Sequence, residues 1–438
     1  MPTDQRKYRI AGSMNQALWI ATLGFFGGFA GVAIFGPLVP KFTLLLGLTP
    51  AAAGLLSGIP NFTGSLLRIP FGAWVDSRGG KRPFLILLGI TLLGIALLLL
   101  LLRADYPNHM AGLYPILLIL GMLIGSGIAT FSVGIAQVSY WFPKSRQGGP
   151  LGVYAGLGNA APGLSSWLLP VAVGGLGLLS AYSIWFGLLL VIAILYAVFI
   201  KDAPWFQLRR QGAGDKEIAA TMRSLRQDMM PAGSTWQGLR EAARVPETWA
   251  LVLLYFLSFG GFLALTTWLP SLWHVAYKES LTTGGVLTLT FSLLASLVRV
   301  PGGLLADRVT VRFALMGNLA IMLVGALVMA FAPSVAVAVG GEVVLAVGIG
   351  LQNAVVFKLV PRYVPQAVGG ASGWVGGLGA FGGFVLPPLM GYIAGQTGTY
   401  PLGLLAVVAV ILVDMLVVGW LGNLARRHGT PADLTAVS

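Results

Sequence analysis

Two arginines stand inside apolar stretches, and each is followed eight residues later by an aspartate where the stretch ends: Arg68-Ile-Pro70-Phe-Gly72-Ala-Trp-Val-Asp76 and Arg299-Val-Pro301-Gly-Gly303-Leu-Leu-Ala-Asp307. A helix rises about 1.5 Å per residue, so each guanidinium sits roughly 12 Å inside the boundary its aspartate marks, near the middle of a ~30 Å hydrocarbon layer. A charge at that depth costs at least ~2.5 kcal/mol on insertion scales, which makes each arginine a candidate functional group. Glu342 and Asp414 are the acids well inside apolar stretches, and neither shares a stretch with an arginine. The expectation is a cavity shared by Arg68 and Arg299 with an anion bound there; the alternative is that each pairs with a buried carboxylate. A planar guanidinium offers a fork of donors that suits a planar oxyanion, which the point charge of lysine does not.

Holding two cations at that depth takes membrane-spanning elements. The chain has 438 residues, 56% hydrophobic and only 9% charged, with a mean hydropathy of +0.85; this is a polytopic membrane protein. It has no cysteine, and its three histidines, His109, His274 and His428, fall in loops or the tail without ligand spacing. No metal and no cofactor are expected. The net charge of +13 reads as topogenic rather than as a nucleic-acid surface. Arg6, Lys7 and Arg9 precede an apolar segment too long for the core of a cleaved leader, so that segment is expected to stay as the first span.

Apolar runs between charged or Pro/Gly breaks give twelve candidate helices at about 16–46, 50–76, 82–102, 110–141, 147–169, 178–200, 247–276, 281–305, 311–332, 335–360, 366–394 and 400–424. The fold class expected is an all-α membrane protein of two pseudo-symmetric six-helix bundles, 1–200 and 247–438, joined by a polar linker at 201–246 that is part amphipathic helix. Outside the two core arginines, only Lys41, Arg103 and Lys278 fall on the side opposite the linker. The positive-inside bias therefore puts both termini and the linker in the cytoplasm.

The halves repeat. The arginine pattern recurs at an offset of 231 residues, and a glycine ladder recurs at 221: Gly149-Pro-Leu-Gly152-Val-Tyr-Ala-Gly156-Leu-Gly158 in the fifth segment and Gly370-Ala-Ser-Gly373-Trp-Val-Gly-Gly377-Leu-Gly379 in the eleventh. Such ladders bring membrane helices close together, and parallel repeats belong to two-halved transporters with a midplane site. Asn159, just past the first ladder, is a polar amide that needs a partner in the membrane, while its twin is Ala380. Gly377-Leu-Gly379-Ala-Phe-Gly382 fits a dinucleotide fingerprint but follows no strand, and Asn61-Phe-Thr63 fits a glycosylation sequon inside a helix; both are set aside. The loops after the second and eighth segments, Gly72-x-x-x-Asp76-x-Arg78-Gly-Gly-Lys81-Arg82 and Gly303-x-x-x-Asp307-Arg308-x-x-x-Arg312, resemble the cytoplasmic loop signature of the major facilitator superfamily. The resemblance implies that Asp76 and Asp307 accept hydrogen bonds at a helix N-terminus and that Arg78 and Arg308 help latch the halves as gating loops.

Phe131-Ser-Val-Gly-Ile-Ala-Gln137-Val-Ser-Tyr-Trp-Phe-Pro143-Lys144, then Gln147-Gly-Gly-x-Leu-Gly-x-x-x-Gly-Leu-Gly-Asn159, with the second ladder and the two arginines, are similar to the nitrate/nitrite porter (NarK-type) family across both halves. The resemblance implies that Arg68 and Arg299 hold the oxyanion from opposite sides and that Asn159 donates a hydrogen bond to it. It also implies that Phe131, Tyr255 and Phe259 form aromatic walls. The chain departs from the family pattern at Tyr154 and Gly376, where many members carry Asn and Ser.

The expected function is transport of nitrate and nitrite across the cytoplasmic (inner) membrane by alternating access, as exchange of one for the other, by a monomer in the lipid bilayer that is not an enzyme. Proton-coupled nitrate symport is the alternative within this function, with Glu342 as the coupling candidate and Asp414 less well placed. A facilitator for phosphate or an organic acid is the runner-up, since a dianion balances two arginines better. A membrane enzyme or sensor lacks support, as there is no Ser/His/Asp set and no soluble effector domain.

Overall fold

The computed structural model describes residues 8–143, 146–225, 227, 235–299, 301–302 and 309–427, without the side chains of 235, 366 and 423–427. Twelve helical segments fill it among the described residues: α1 (Met14–Leu46), α2 (50–78), α3 (Lys81–Asp105), α4 (Tyr114–Ser139), α5 (148–176), α6 (Leu178–Phe199), α7 (Pro246–Tyr277), α8 (Leu281–Leu297, with Arg299 in helical conformation beyond it), α9 (Val311–Ala330), α10 (Val335–Tyr363), α11 (Val368–Thr397) and α12 (Leu405–Arg427). Most of their limits lie within a few residues of those expected, because apolar runs are legible; the fifth runs on to 176, past the expected 169, and the expected end of the eighth, 305, lies outside the described residues. Ser13, Thr49, Ser280 and Thr310 cap α1, α2, α8 and α9, each hydroxyl accepting a backbone N–H from the first turn. Among the described residues, nine spans are apolar and long enough to cross a membrane by length and composition. The other three are interrupted: α2 turns at 59 and 67, α5 turns at 160, and the described part of α8 is 17 residues.

The first six helices form one half and the last six the other. At the ends away from the linker the halves meet backbone to backbone. A Cβ at Gly54 of α2 would lie 2.7 Å from the carbonyl carbon of Pro387 in α11, and one at Gly391 would lie 2.7 Å from that of Pro50. On the other flank a Cβ at Gly163 of α5 would lie 2.6 Å from Ser292 Cβ of α8, and Gly285 is pressed against the backbone of Ser166 and Trp167. Between α1 and α7, Gly36 meets the Thr267 backbone, where a Cβ would be 2.9 Å from its carbonyl oxygen. Small residues alone permit this approach, as in other membrane helix pairs. Asn61 adds a cross-half bond, its Nδ2 donating to the Gly383 carbonyl at 3.2 Å.

Among its described residues the linker has three short helices, Pro204–Arg210, Asp215–Ser224 and Thr235–Ala243. The first two are fastened to the first half. Gln207 and Gln211 each pair through their amides with the backbone of Ala11 and Arg9, Tyr8 donates to Glu217, and Gln227 donates to the Trp141 carbonyl. The third rides on the second half, with Trp374 of α11 donating to the Leu239 carbonyl at 2.8 Å.

Candidate functional site

Arg68 begins the last helical stretch of α2 and is 1% exposed. Its Nη1 donates across the interface to the Gly376 carbonyl of α11 at 3.0 Å, while Nε and Nη2 are buried without a partner. Arg299 is partly buried, its Nε is also unpartnered, and its guanidinium lies within hydrogen-bonding reach of the Tyr255 hydroxyl. Among the described residues, the charged or titratable groups beside Arg68 are Tyr255, Tyr154 and Arg299, and beside Arg299 it is Tyr255; no carboxylate is among them. A buried and a partly buried cation thus share one site, with donors of both left unpartnered.

Aromatic rings fill the space around them. The Arg68 guanidinium lies over Phe131 at 4.9 Å and over Phe259 at 5.0 Å, and that of Arg299 lies over the same Phe259 ring at 5.2 Å. The cations are therefore no farther apart than the sum of the last two distances, and their repulsion is at least about 1.6 kcal/mol at an effective dielectric of about 20. Tyr255 stacks on Phe259 at 5.1 Å. The structure thus brings Arg68, Arg299, Phe131, Tyr255 and Phe259 together.

Asn159 is buried at the break in α5, its amide oxygen without a hydrogen-bond partner. The ladder glycines divide. Next to Asn159, Gly158 leaves room for the Phe25 ring of α1; in α11, Gly379 leaves room for Tyr255, Gly377 for Ile69 of α2, and Gly373 for Leu239 of the linker. Gly152 and Gly156 have nothing within 4 Å of where a Cβ would stand. Asp76 accepts a short hydrogen bond from Tyr140 of α4; burial and the Asp76 charge push that phenol upward. The carboxylate at the α3 N-terminus is another one: Asp202 accepts from Lys81 N at 2.9 Å and pairs with Arg210. Arg78 is exposed, and Asp307 and Arg308 lie outside the described residues. Glu342 of α10 is 1% exposed beside Trp273 of α7, and Asp414 of α12 is as deeply buried.

A cavity of about 600 Å³ runs from Arg68 and Phe131 to the linker, walled by Asp76 and Tyr140 on one side and by Gln237, Glu241 and Gly370–Gly376 residues on the other. The opposite end is the closed glycine seam, so Arg68 is reached from the linker side.

Sequence reasoning missed Phe25 and Phe29 of α1, a tilted ring pair at 4.9 Å, where Tyr255 and Phe259 stack at 5.1 Å. Their offset of 230 residues, one away from that of the arginines, was a usable signal. Tyr154, a departure from the family pattern, stacks on Phe25 at 5.0 Å and donates to the Thr130 carbonyl at 2.8 Å, tying α5 to the turn that carries Phe131. Gly376, the other departure, supplies the carbonyl that Arg68 holds.

The family model described as Major Facilitator Superfamily matches residues 21–289 and 274–436. The chain is 31% identical to a probable nitrate/nitrite antiporter NarK1 of Thermus thermophilus over 87% of this chain and 86% of that protein. It is 31% identical to a probable nitrate/nitrite transporter NarK2 of Mycobacterium tuberculosis over 92% and 94%. To the nitrite extrusion protein of Bacillus subtilis it is 28% identical over 92% and 93%. The E. coli xylose transporter XylE, solved in a partially occluded inward-open conformation, superposes with a TM-score of 0.68 at 14% identity over 92% of this chain and 98% of that one.

Proposed function

We propose a transport cycle from one premise: the chain belongs to the Major Facilitator Superfamily and, within it, to the nitrate/nitrite porters. It carries nitrate and nitrite across the cytoplasmic (inner) membrane by alternating access, exchanging one for the other, as a multi-pass monomer in the lipid bilayer. It is a transporter and not an enzyme. Residues 1–200 and 247–438 are its two rocking units and 201–246 is the connection, which faces the cytoplasm with both termini on the positive-inside argument.

The observation that carries this reading is the pair of guanidiniums over one ring, with unpartnered donors and, among the described residues, no carboxylate beside either. Arg68 belongs to one half and Arg299 to the other, so an anion held by both draws the halves together. An empty site leaves the two cations to repel. The closed form is then favoured by occupancy, which is differential binding to two states, and exchange follows because an empty carrier returns poorly. Asn159, with its free amide oxygen buried nearby in sequence from the Gly158–Phe25 contact, offers its Nδ2 to the anion. Phe131, Tyr255 and Phe259 exclude water around it. The buried Glu342 favours a second reading, net symport with a proton.

The test is counterflow in proteoliposomes, nitrate outside and nitrite inside. Arg68→Lys and Arg299→Lys should each lower exchange by at least about 100-fold with an unchanged size-exclusion profile, since the bidentate fork is lost while the charge stays. Full activity in both variants would refute the assignment.

A further inference from the structure

We infer that the third linker helix, Thr235–Ala243, docks against the anionic headgroups of the linker-side leaflet, whatever anion the carrier moves. Trp236 sits in the headgroup layer, and Arg240 and Arg244 hold lipid phosphodiesters.

The helix has three faces. Gly238, Leu239 and Ala242 form the packed one: Leu239 is 4% exposed and Ala242 0%, and a Cβ at Gly370 of α11 would stand 2.3 Å from the Gly238 carbonyl carbon. Gln237 and Glu241, joined by a hydrogen bond from Gln237 Nε2 at 2.9 Å, wall the cavity. Trp236, Arg240 and, in the turn that follows, Arg244 share the remaining arc, roughly 80° wide at about 100° per residue. All three are exposed, Trp236 at 63%. Neither guanidinium forms a hydrogen bond or an ion pair among the described residues.

This helix lies where two spans enter the membrane. Trp249, in the first turn of α7, donates Nε1 to the Ala243 carbonyl at 2.9 Å, and Trp374, in the second turn of α11, donates to the Leu239 carbonyl at 2.8 Å. The two indoles are 5.7 Å apart, and Trp249 is itself 37% exposed. Tryptophan favours that level, with its apolar body toward the acyl chains and its N–H toward the headgroups. The planar fork of arginine matches a phosphate, and the positive-inside argument turns this face to the leaflet that carries anionic lipid. Pro246, two residues past Arg244, already begins α7, so the arginines stay at the boundary. Since Gln237 and Glu241 belong to the same helix, headgroups that grip its outer face also fix one wall of the cavity.

The chain has no cysteine, so Ala243→Cys, half-buried beside Trp236 on the helix surface, takes a single thiol-reactive bimane. The labelled full chain is placed in phosphatidylcholine vesicles with increasing phosphatidylglycerol, and quenching by a lipid with a nitroxide on its headgroup is compared with quenching by aqueous iodide. Headgroup quenching should rise, and iodide quenching fall, as phosphatidylglycerol increases. One basic residue near an anionic surface corresponds to about a fivefold preference, so the ratio of quenched to unquenched label should drop about fivefold in Arg240→Gln and again in Arg240→Gln/Arg244→Gln. Potassium chloride should lower the ratio in the parent protein and leave the double variant unchanged. Trp236→Ala should lower it at every lipid composition, and with the salt series it decides the matter if the double variant fails to fold. Headgroup quenching that ignores phosphatidylglycerol and salt, or that stays at the parent value in these variants, overturns the docking. Quenching that follows the protein-to-lipid ratio instead makes a second copy of the chain the occupant of this face and overturns it as well.

Discussion

The glycine seam away from the linker can be wedged open with one methyl group. In Gly54→Ala the new Cβ meets the Pro387 carbonyl carbon at 2.7 Å and Pro388 Cα at 2.9 Å. Ordinary carbon contacts stand at about 3.5–4.0 Å, so the two backbones must part by roughly 1 Å. Neither partner is a side chain that can swing aside. Overpacking of this kind costs about 1–3 kcal/mol, and the cost falls only on states in which the seam is shut. The balance between linker-side-open and opposite-side-open forms therefore moves by about 5- to 150-fold toward the latter. The chain has no cysteine, so Ser132→Cys on the cavity wall gives a single thiol with no background. In inside-out vesicles, an impermeant maleimide should label Ser132→Cys more slowly when Gly54→Ala is added, by a factor that approaches but does not exceed this shift. Gly391→Ala, against the Pro50 backbone, should act alike. Labelling that is unchanged or faster in both variants, at an intact size-exclusion profile, refutes the reasoning.

Gly134→Ala should lower thermal stability by about 1–3 kcal/mol, because its Cβ strikes the Tyr154 ring and hydroxyl; Tyr154→Phe should recover part of that loss in the double variant, read by melting in detergent. Asp202→Ala should destabilise by about 1–3 kcal/mol by stripping Lys81 N and Arg210 of their acceptor. Asp202→Asn should lose less, as its amide oxygen still accepts. Glu342→Gln should leave nitrate/nitrite exchange within about twofold, since exchange moves no net charge; abolished exchange together with a lost response to a pH gradient would favour symport instead.

The helices and the arginine repeat were legible because the bilayer imposes a length and forbids stray charge. What the sequence hid was which faces meet. Gly54 and Gly391 look no different on paper from Gly152 and Gly156, yet the first two press on backbone and the last two face open space, because the state of the molecule decides which glycines touch. Asp76 fits the expected loop pattern, but Asp202, 121 residues from Lys81, takes the α3 N-terminus; a contact between distant turns leaves no local spacing. Phe25 and Phe29 were hidden among many aromatics, although the repeat that exposed the arginines points to them too. The π-helical turn Phe256–Gly260 of α7 has no composition of its own, and its contacts, Asn353 of α10 on the Ser258 carbonyl and Gly382 of α11 against Gly260, come from distant segments.

The linker is divided between two owners. Its opening helices are sewn to the first half by Gln207, Gln211 and Gln227, while Thr235–Ala243 lies on α11 and contributes Gln237 and Glu241 to the cavity wall facing Asp76 and Tyr140. That helix is consequently a jaw rather than a tether: it travels with the half opposite Arg68, and any rotation that widens the vestibule must carry it away from the first half. The width of the entrance and the angle between the bundles are then one and the same coordinate.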